Sequence, residues 1–414
     1  MQHKFFYTLL SVFIISISGL SQKKDIEYYI TAGINNSPLL KDYNNQKLSN
    51  LIDSMKILSG YKPQIVGVSA NVFAPSYKDW GYDGAVTNGG SYSQLITFNQ
   101  RLVGKENLAT QHEAIRLLNE SLTISGKITE QDLRKTITAQ YITTYGDWLQ
   151  IKFNKEINTL LRKEALILKN QVEKGIYRQT DYLSFLVTTQ QQELFITQIT
   201  NQYKNDFAAL NYLCALKDTN TVELEEPLLH IAVAPDAEGT IFYKQFTIDS
   251  LKIKNNAAQL DFLYKPKVGL YADAGYLTSF AYQAYKNFGT SFGISVTVPI
   301  YDGNQRQLLH RKLNIAEQTR EGYRDYFKNQ FNQQIQQLSQ QLHAAQEIIT
   351  QASEQIKYTE TLIEANKKLL ETGEARMPDY ILAIGNYLTT KNIITQNNIT
   401  KLQIINQINY WNRN

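Results

Sequence analysis

A single cysteine, Cys214, stands in 414 residues. It excludes an internal disulfide, and its distance from the N-terminus excludes lipid anchoring on an N-terminal cysteine. Its neighbours Leu213, Ala215 and Leu216 read it as a small buried hydrophobe. Charge is sparse, at 19% of residues with a net of +4. That leaves no concentrated basic stripe, so no nucleic-acid partner is expected. The histidines (His3, His112, His230, His310 and His343) are scattered, and no pair has metal-ligand spacing with a cysteine or carboxylate cluster. Neither a phosphate-cradling glycine loop nor a nucleophile elbow is present. The expectation is a non-enzyme: no catalytic residues, no cofactor and no metal. After residue 22 no stretch approaches the ~20 apolar residues that a membrane-crossing helix needs.

Before residue 22 the pattern is different. Lys4 precedes an apolar run over 5–17, and Gly19 and Ser21 are small residues at a plausible cleavage point. This reads as a secretory signal over 1–21 that leaves Gln22 first. The alternative, a membrane anchor, needs a longer run. A secreted chain without a spanning helix is either soluble or a β-barrel. Hydrophobic residues at 43%, with 27 tyrosines and 17 phenylalanines, supply enough apolar surface for a sizeable core.

The chain repeats itself. Tyr61-Lys62-Pro63 returns as Tyr264-Lys265-Pro266, each opening an alternating segment. Glu173, Gly175, Arg178, Asp181 and Tyr182 align without a gap to Glu371, Gly373, Arg376, Asp379 and Tyr380. A period of about 200 residues means a duplicated half and not a solenoid. The first half is read as 22–216: an opening helix over 25–59, strands near 63–73 and 92–102, a long helix over 104–174 and a return helix over 181–216. A linker covers 217–245, with Pro227 and Pro235. The second half is read as 246–414: a helix, strands near 266–276 and 288–300, a long helix over 303–372 and a return helix over 379–413.

Period-two alternation marks the strands. Val268, Leu270, Ala272, Ala274 and Tyr276 share one face of the third; Lys267, Gly269, Tyr271, Asp273 and Gly275 share the other. In the fourth, Phe288, Thr290, Phe292, Ile294, Val296, Val298 and Ile300 face one way. Gly289, Ser291, Gly293, Ser295 and Thr297 face the other, the glycines as small lumen positions. The first half is less clean, with Val66, Val68, Ala70 and Val72 in one strand and Ile96, Phe98 and Leu102 in its partner. Each segment has about 11 residues, the length a tilted strand needs to cross the hydrocarbon layer. Turn residues link the pairs: Trp80-Gly81-Tyr82-Asp83-Gly84 and Asn88-Gly89-Gly90, then a tyrosine-rich stretch over 279–287. Tyr77, Tyr82, Tyr92, Tyr282 and Tyr285 are placed either as an interfacial girdle or as plain loop residues. A soluble sheet with one face on a core fits the alternation equally. If the strands do cross a membrane, four cannot close a barrel and open edges are not tolerated in lipid, so several copies must pool them.

Two proline-free stretches of about 70 residues, 104–175 and 303–373, would each reach roughly 105 Å as helices. In the second, Phe331, Ile335, Leu338, Leu342, Ala345, Ile349, Ala352 and Ile356 keep 4-3-4-3 spacing, a heptad seam. Gln333, Gln334, Gln336, Gln337, Gln340 and Gln341 occupy its other faces. In the first, Ser125-Gly126-Lys127 is a candidate interruption. The opening and return helices are half as long, so two end to end would match one long helix.

Strand pairs feeding long helices, duplicated behind a signal peptide, resemble the TolC (outer membrane efflux protein) family of Gram-negative bacteria. The resemblance covers nearly all of the mature chain. It is carried by the strand exit Val298-Pro299-Ile300-Tyr301-Asp302-Gly303, the turn from Gly373 to Asp379-Tyr380 and its copy from Gly175 to Asp181-Tyr182, and the lysine-proline strand starts. It implies a mostly helical fold with membrane β-structure: a homotrimer whose 12-stranded barrel in outer-membrane lipid continues into a periplasmic helical barrel. It further implies a passive duct in a tripartite efflux or type I secretion system. The partners would be a periplasmic membrane-fusion adaptor and an inner-membrane pump of RND or ABC type. By position, Gly175, Arg178, Asp181, Gly373, Arg376 and Asp379 map onto the tips where the adaptor docks and the duct narrows, and 217–245 onto the belt around the helical barrel.

A purely structural role fits the same tip residues. The aspartates favour helix N-termini, with Thr180 capping, and the glycines end helices. Two other classes compete with the duct: a secreted coiled-coil scaffold or adhesin with a soluble sheet, and a pump adaptor. An adaptor would carry one helical hairpin and lack lipid-length alternating strands.

Overall fold

The structure, a computed structural model, describes residues 24–75, 77–78, 80–82, 89–218, 220–231, 236–279, 284–374 and 376–412. The signal segment 1–21 lies outside the described residues. The elements in chain order are α1 (Ile26–Asn36), α2 (Pro38–Gly60), β1 (Gln64–Phe73), β2 (Gly90–Leu102), α3 (Lys105–Glu173) and α4 (Gln179–Leu213). After them come α5 (Ile241–Leu263), β3 (Lys267–Thr278), β4 (Phe288–Thr297), α6 (Gln305–Thr372) and α7 (Met377–Trp411). The molecule is mostly helical, with one small antiparallel sheet.

The contacts divide the chain into two units. The first holds the residues up to Asn36, Leu133–His230 and Leu342–Asn406. Here the later part of α3 pairs with α4, and the later part of α6 with α7. One core cluster gathers Tyr29 and Ile30 of α1, Ile137, Tyr141 and Ile142 of α3, and Phe207 and Leu210 of α4. The rings of Tyr29 and Phe207 meet edge-on at 6.4 Å. Gly33 brings α1 close; a Cβ there would fall 2.3 Å from Cδ1 of Ile137. Cys214 is buried in this cluster. Leu224, in the non-helical stretch after α4, is buried in it too. That stretch is tied down by side chains donating to its carbonyls: Tyr203 to Val222, Tyr141 to Glu225 at 2.8 Å, and Asn211 to Asp218 at 2.7 Å. Backbone oxygens that no helix or sheet satisfies thereby gain donors.

A second cluster in this unit packs Leu161 and Leu168 of α3 and Phe185 of α4 against Leu370 of α6 and Met377, Tyr380 and Ile384 of α7. Phe185 and Tyr380 stack at 6.3 Å. The heptad seam in α6 is visible in burial. Phe331, Leu338, Ala345 and Ala352, seven apart, are buried, and the residues between them in the seam are half-buried.

One carboxyl in this unit is out of its ordinary state. Burial, then a hydrogen bond and charge repulsion from Asp206, push Asp147 up to about 7. A proton shared with Asp206 gives its buried Oδ2 the partner that it lacks as a carboxylate. The unfolded aspartate ionises near 4, so the folded state holds the extra proton between about 4 and 7. This contribution is full below pH 4 and fades as pH rises to 7. Melting followed from pH 5 to 8 should show a decline for the natural chain and a flatter profile for Asp147→Asn.

The second unit holds Ser37–Asp132, Ile231–Gln341 and Gln407–Asn414. Its sheet runs β1-β2-β3-β4, all antiparallel. Phe242 of α5, Phe327 and Phe331 of α6, and Tyr410 and Trp411 of α7 form an aromatic cluster, with Phe242 and Trp411 5.2 Å apart. Ile124 is buried beside Ile241 and Ile248, with Ile128 packed against them. That packing carries α3 unbroken through Ser125-Gly126-Lys127, against the interruption anticipated there. A mid-helix glycine costs only about 1 kcal/mol, which the buried Ile124 and the half-buried Ile128 offset. The opening helix differs as well. It is two helices, because Ser37 leaves the helical region and its Oγ caps α2, accepting from the N–H of Leu40 at 3.4 Å, while Pro38 takes the first helical position.

Candidate functional site

In an antiparallel ladder, directly opposed residues share a face. Val268 opposes Val296, Leu270 opposes Ile294, Ala272 opposes Phe292, and Tyr276 opposes Phe288. From β2, Leu102, Phe98 and Ile96 join the same face opposite Val268, Ala272 and Ala274. The result is a largely apolar face on β2, β3 and β4, interrupted in β2 by Gln100 opposite Leu270 and exposed to the point that Phe292 is 89% accessible. The opposite face carries Asp273 with Ser291, which donates to it at 2.7 Å, and Gly269 with Ser295. Gly293 stands there because the ring of Tyr271 lies across it; a Cβ would sit 2.4 Å from the phenol oxygen. An aromatic side chain covering a strand glycine holds the register at that position.

In β1 the pairing decides the side. Val66, Val68, Ala70 and Val72 oppose Thr97, Leu95, Ser93 and Ser91, so they lie on the Asp273 face and not with Ile96, Phe98 and Leu102. On the apolar face β1 offers Ile65 and Phe73 at its ends, with Gly67, Ser69 and Asn71 between. Gln94 donates to Asn71 at 3.1 Å, so this corner of the face is polar. Alternation reports which residues share a face within a strand, but only pairing assigns that face to a side of the sheet. β4 also stops at Thr297, leaving Val298 and Ile300 beyond the ladder and exposed. β1 and β4 are the outer strands, and each has an edge without a partner among the described residues.

Around the far strand ends, Tyr77, Trp80 and Tyr82 are exposed, and Tyr77 and Trp80 form an isolated bridge. Tyr92 is half-buried against Gly90. Tyr282, and the residues Asp83, Gly84 and Asn88 of the first link, lie outside the described residues. The side chain of Tyr285 is likewise outside them.

The two repeated turns belong to the first unit and are built alike. Gly175 has φ +74° and Gly373 φ +82°. The N–H of Gly175 donates to Val172 and that of Ile176 to Gln171, both at 3.0 Å. The N–H of Gly373 donates to Leu370 at 3.2 Å and that of Glu374 to Leu369 at 2.8 Å. This is the Schellman closure, which requires the left-handed region at the glycine. Arg178, not Thr180, is the cap of α4, and Thr180 lies within the first turn. Asp181 accepts the Arg178 N–H at 3.2 Å. Asp379, at the matching place in α7, pairs instead with the Arg376 guanidinium at 3.0 Å. The turns also touch. Gln171 donates to the Glu371 carbonyl at 3.2 Å, and Ile176 leaves no room for a Cβ at Gly373, which would fall 2.7 Å from it. Nothing in the spacing of Ile176 or Gln171 marked these contacts. Gly373→Ala should cost about 1–2 kcal/mol from the left-handed backbone, plus the displacement of Ile176. Gly175→Ala, in open space, should cost only the first part. Hydrogen exchange at the two turns measures the difference.

For chemistry the described residues offer little. No group of three or more histidine, cysteine, aspartate or glutamate side chains is placed to hold a metal. His310 meets the Asp261 carboxylate at 3.0 Å and His112 meets Ser54 at 2.9 Å, both ordinary polar contacts. No described helix is long and apolar enough to cross a membrane.

Solved structures share this arrangement over almost the whole chain. The outer-membrane channel OprN superposes with TM-score 0.75 at 10% identity, covering 93% of this chain and 89% of that one. CusC, whose structures concern transmembrane channel formation, gives 0.75 at 11%, covering 95% and 93%. The outer membrane protein VceC from Vibrio cholerae gives 0.73 at 11%, covering 94% and 96%. The fold is that of the TolC-like outer-membrane channels. At this identity the likeness is one of fold. No protein-family model and no curated protein sequence matches the chain. Within the TolC-like fold, the four strands and the two glycine-closed turns are the features to which a function can attach.

Proposed function

We propose that this protein is a subunit of an outer-membrane export duct: three copies pool their strands into a 12-stranded barrel, and their helices form a periplasmic tube beneath it. The observation that carries this is the sheet: an exposed apolar face on β2 to β4, with unpartnered edges on β1 and β4. Lipid tolerates an apolar face but not an open edge, so the edges must find the strands of other copies. The TolC-like fold supports the same reading. The duct is passive and not an enzyme. In this proposal the halves 22–216 and 246–414 each supply two strands and a helical hairpin, and 217–245 forms the belt. The turns bearing Gly175, Arg178, Asp181, Gly373, Arg376 and Asp379 are the periplasmic tips. They would meet a membrane-fusion adaptor, which joins the duct to an inner-membrane pump, and adaptor contacts would bias a closed-to-open shift of the tips.

Fractionation tests the proposal. The mature chain should require detergent for release from the outer membrane, and should migrate as a heat-dissociable trimer. A detergent-free periplasmic monomer would overturn it.

A further inference from the structure

The junction between sheet and helices in the second unit encloses a cleft of about 1300 Å³. Arg101, Lys105, Lys265 and Lys267 line it, with Glu106 as the only acid. Lys265 is spoken for: it pairs with Glu106 at 3.4 Å and sits over the Phe262 ring. Arg101, Lys105 and Lys267 are exposed, and no described acid pairs with them. The register fixes their side. Arg101 opposes Gly269, which opposes Ser295, and Lys267 opposes Thr297, so both cations stand on the face that carries Asp273. That acid is three side-chain layers along β3 from Lys267, roughly 20 Å, and two layers, roughly 13 Å, from the level of Arg101, and it is engaged by Ser291. The remaining lining is uncharged: polar at Asn107, Gln111, Asn256 and Gln259, and apolar at Val103, Leu260 and Leu263, with Leu102 and Val268 reaching it from the apolar face.

We infer that Arg101, Lys105 and Lys267 form a cationic ring inside the duct, where barrel meets helices, and that it favours anionic solutes over cationic ones. The inference rests on the channel reading above. With the apolar face toward lipid, the Asp273 face lines the lumen, and three copies repeat the cluster around one water-filled path. Unpaired cations of one sign around a confined pore raise the local concentration of anions, and rings of arginine or lysine are the usual basis of anion preference. The cleft has no buried partner to tie these side chains down, so each is available to a passing anion.

Two measurements on the full mature chain test it. In planar bilayers under a potassium chloride gradient, the reversal potential should report chloride preference. R101Q/K105Q/K267Q should move it toward potassium. Current steps with no such change would overturn the ring and leave the channel standing. Absence of any current steps would remove the channel reading, and the inference with it. The second measurement does not need conduction. K267C in the detergent-solubilised protein should react with an anionic methanethiosulfonate faster than with a cationic one, by about tenfold after correction for intrinsic rates. R101Q and K105Q added to K267C should largely remove that preference. Equal rates, or a faster cationic reagent, would overturn it. Cys214 does not compete, being buried, with its thiol pushed up by burial to about 12.

Discussion

Lys367→Met should loosen the end of the first unit that carries the two turns by about 3 kcal/mol, the lower part of the range for orphaning a buried charge. Glu164 of α3 is 1% exposed, and its ion-pair partner is Lys367 of α6, Nζ to Oε1 at 3.1 Å. Neither carboxylate oxygen has a hydrogen-bond donor in good geometry. The pair also joins the two helical hairpins, beside the Leu161, Leu168, Leu370 and Tyr380 cluster. Without the ammonium, the carboxylate must ionise unpaired, take up a proton or drag water into that cluster. The lower part of the range applies because Lys367 is 40% exposed and already half-solvated. Hydrogen exchange near Leu168 and Leu370 reads the effect, and a 3 kcal/mol change corresponds to roughly a hundredfold loss of protection. Glu164→Leu combined with Lys367→Met should restore most of it, since apolar replacement of both partners is often neutral. A single variant as well protected as the natural chain would show that the pair contributes nothing.

Val296→Arg should destabilise the assembled barrel by about 2–4 kcal/mol if the residue lies near the membrane midplane. Val296 opposes Val268 on the apolar face and is exposed in the single chain. Its neighbour Ser295 opposes Gly269 on the other face. Ser295→Arg places the same charge toward the cationic cleft, in water, and should cost far less. The heat needed to dissociate the trimer, compared between the two variants in one lipid, measures the difference. Equal costs would mean that the apolar face does not meet lipid.

Period-two alternation carries β3 and β4 because their apolar and small polar residues separate cleanly. In β1 the same rule finds a strand but does not say which side of the sheet its valines take. A strand with Ile65 and Phe73 on one face and Val66, Val68 and Val72 on the other has no single apolar face to read. The glycine turns are legible as turns because a positive φ and a helix end leave a residue-type mark. The contact of Ile176 with Gly373 is not, because it joins residues some 200 apart whose side chains carry no positional code. Glu164 and Lys367 look like ordinary charges on two long helices, and only packing buries one of them. The cationic cleft is hidden for a similar reason. Lys267 is far in the chain from Arg101 and Lys105, and such charges are sparse in this sequence. Register brings two of them to one face and a helix start adds the third.

The sequence by itself determined the kinds of element, their order and their duplication. Helical and strand periodicities, glycine turns and the heptad seam are local properties, set by backbone sterics and side-chain spacing within a few residues. The tertiary structure alone decided which face of each strand is which, which charges are buried and which stand free in a cleft. Those depend on register and packing between distant segments, where a shift of one residue exchanges the two sides of a strand.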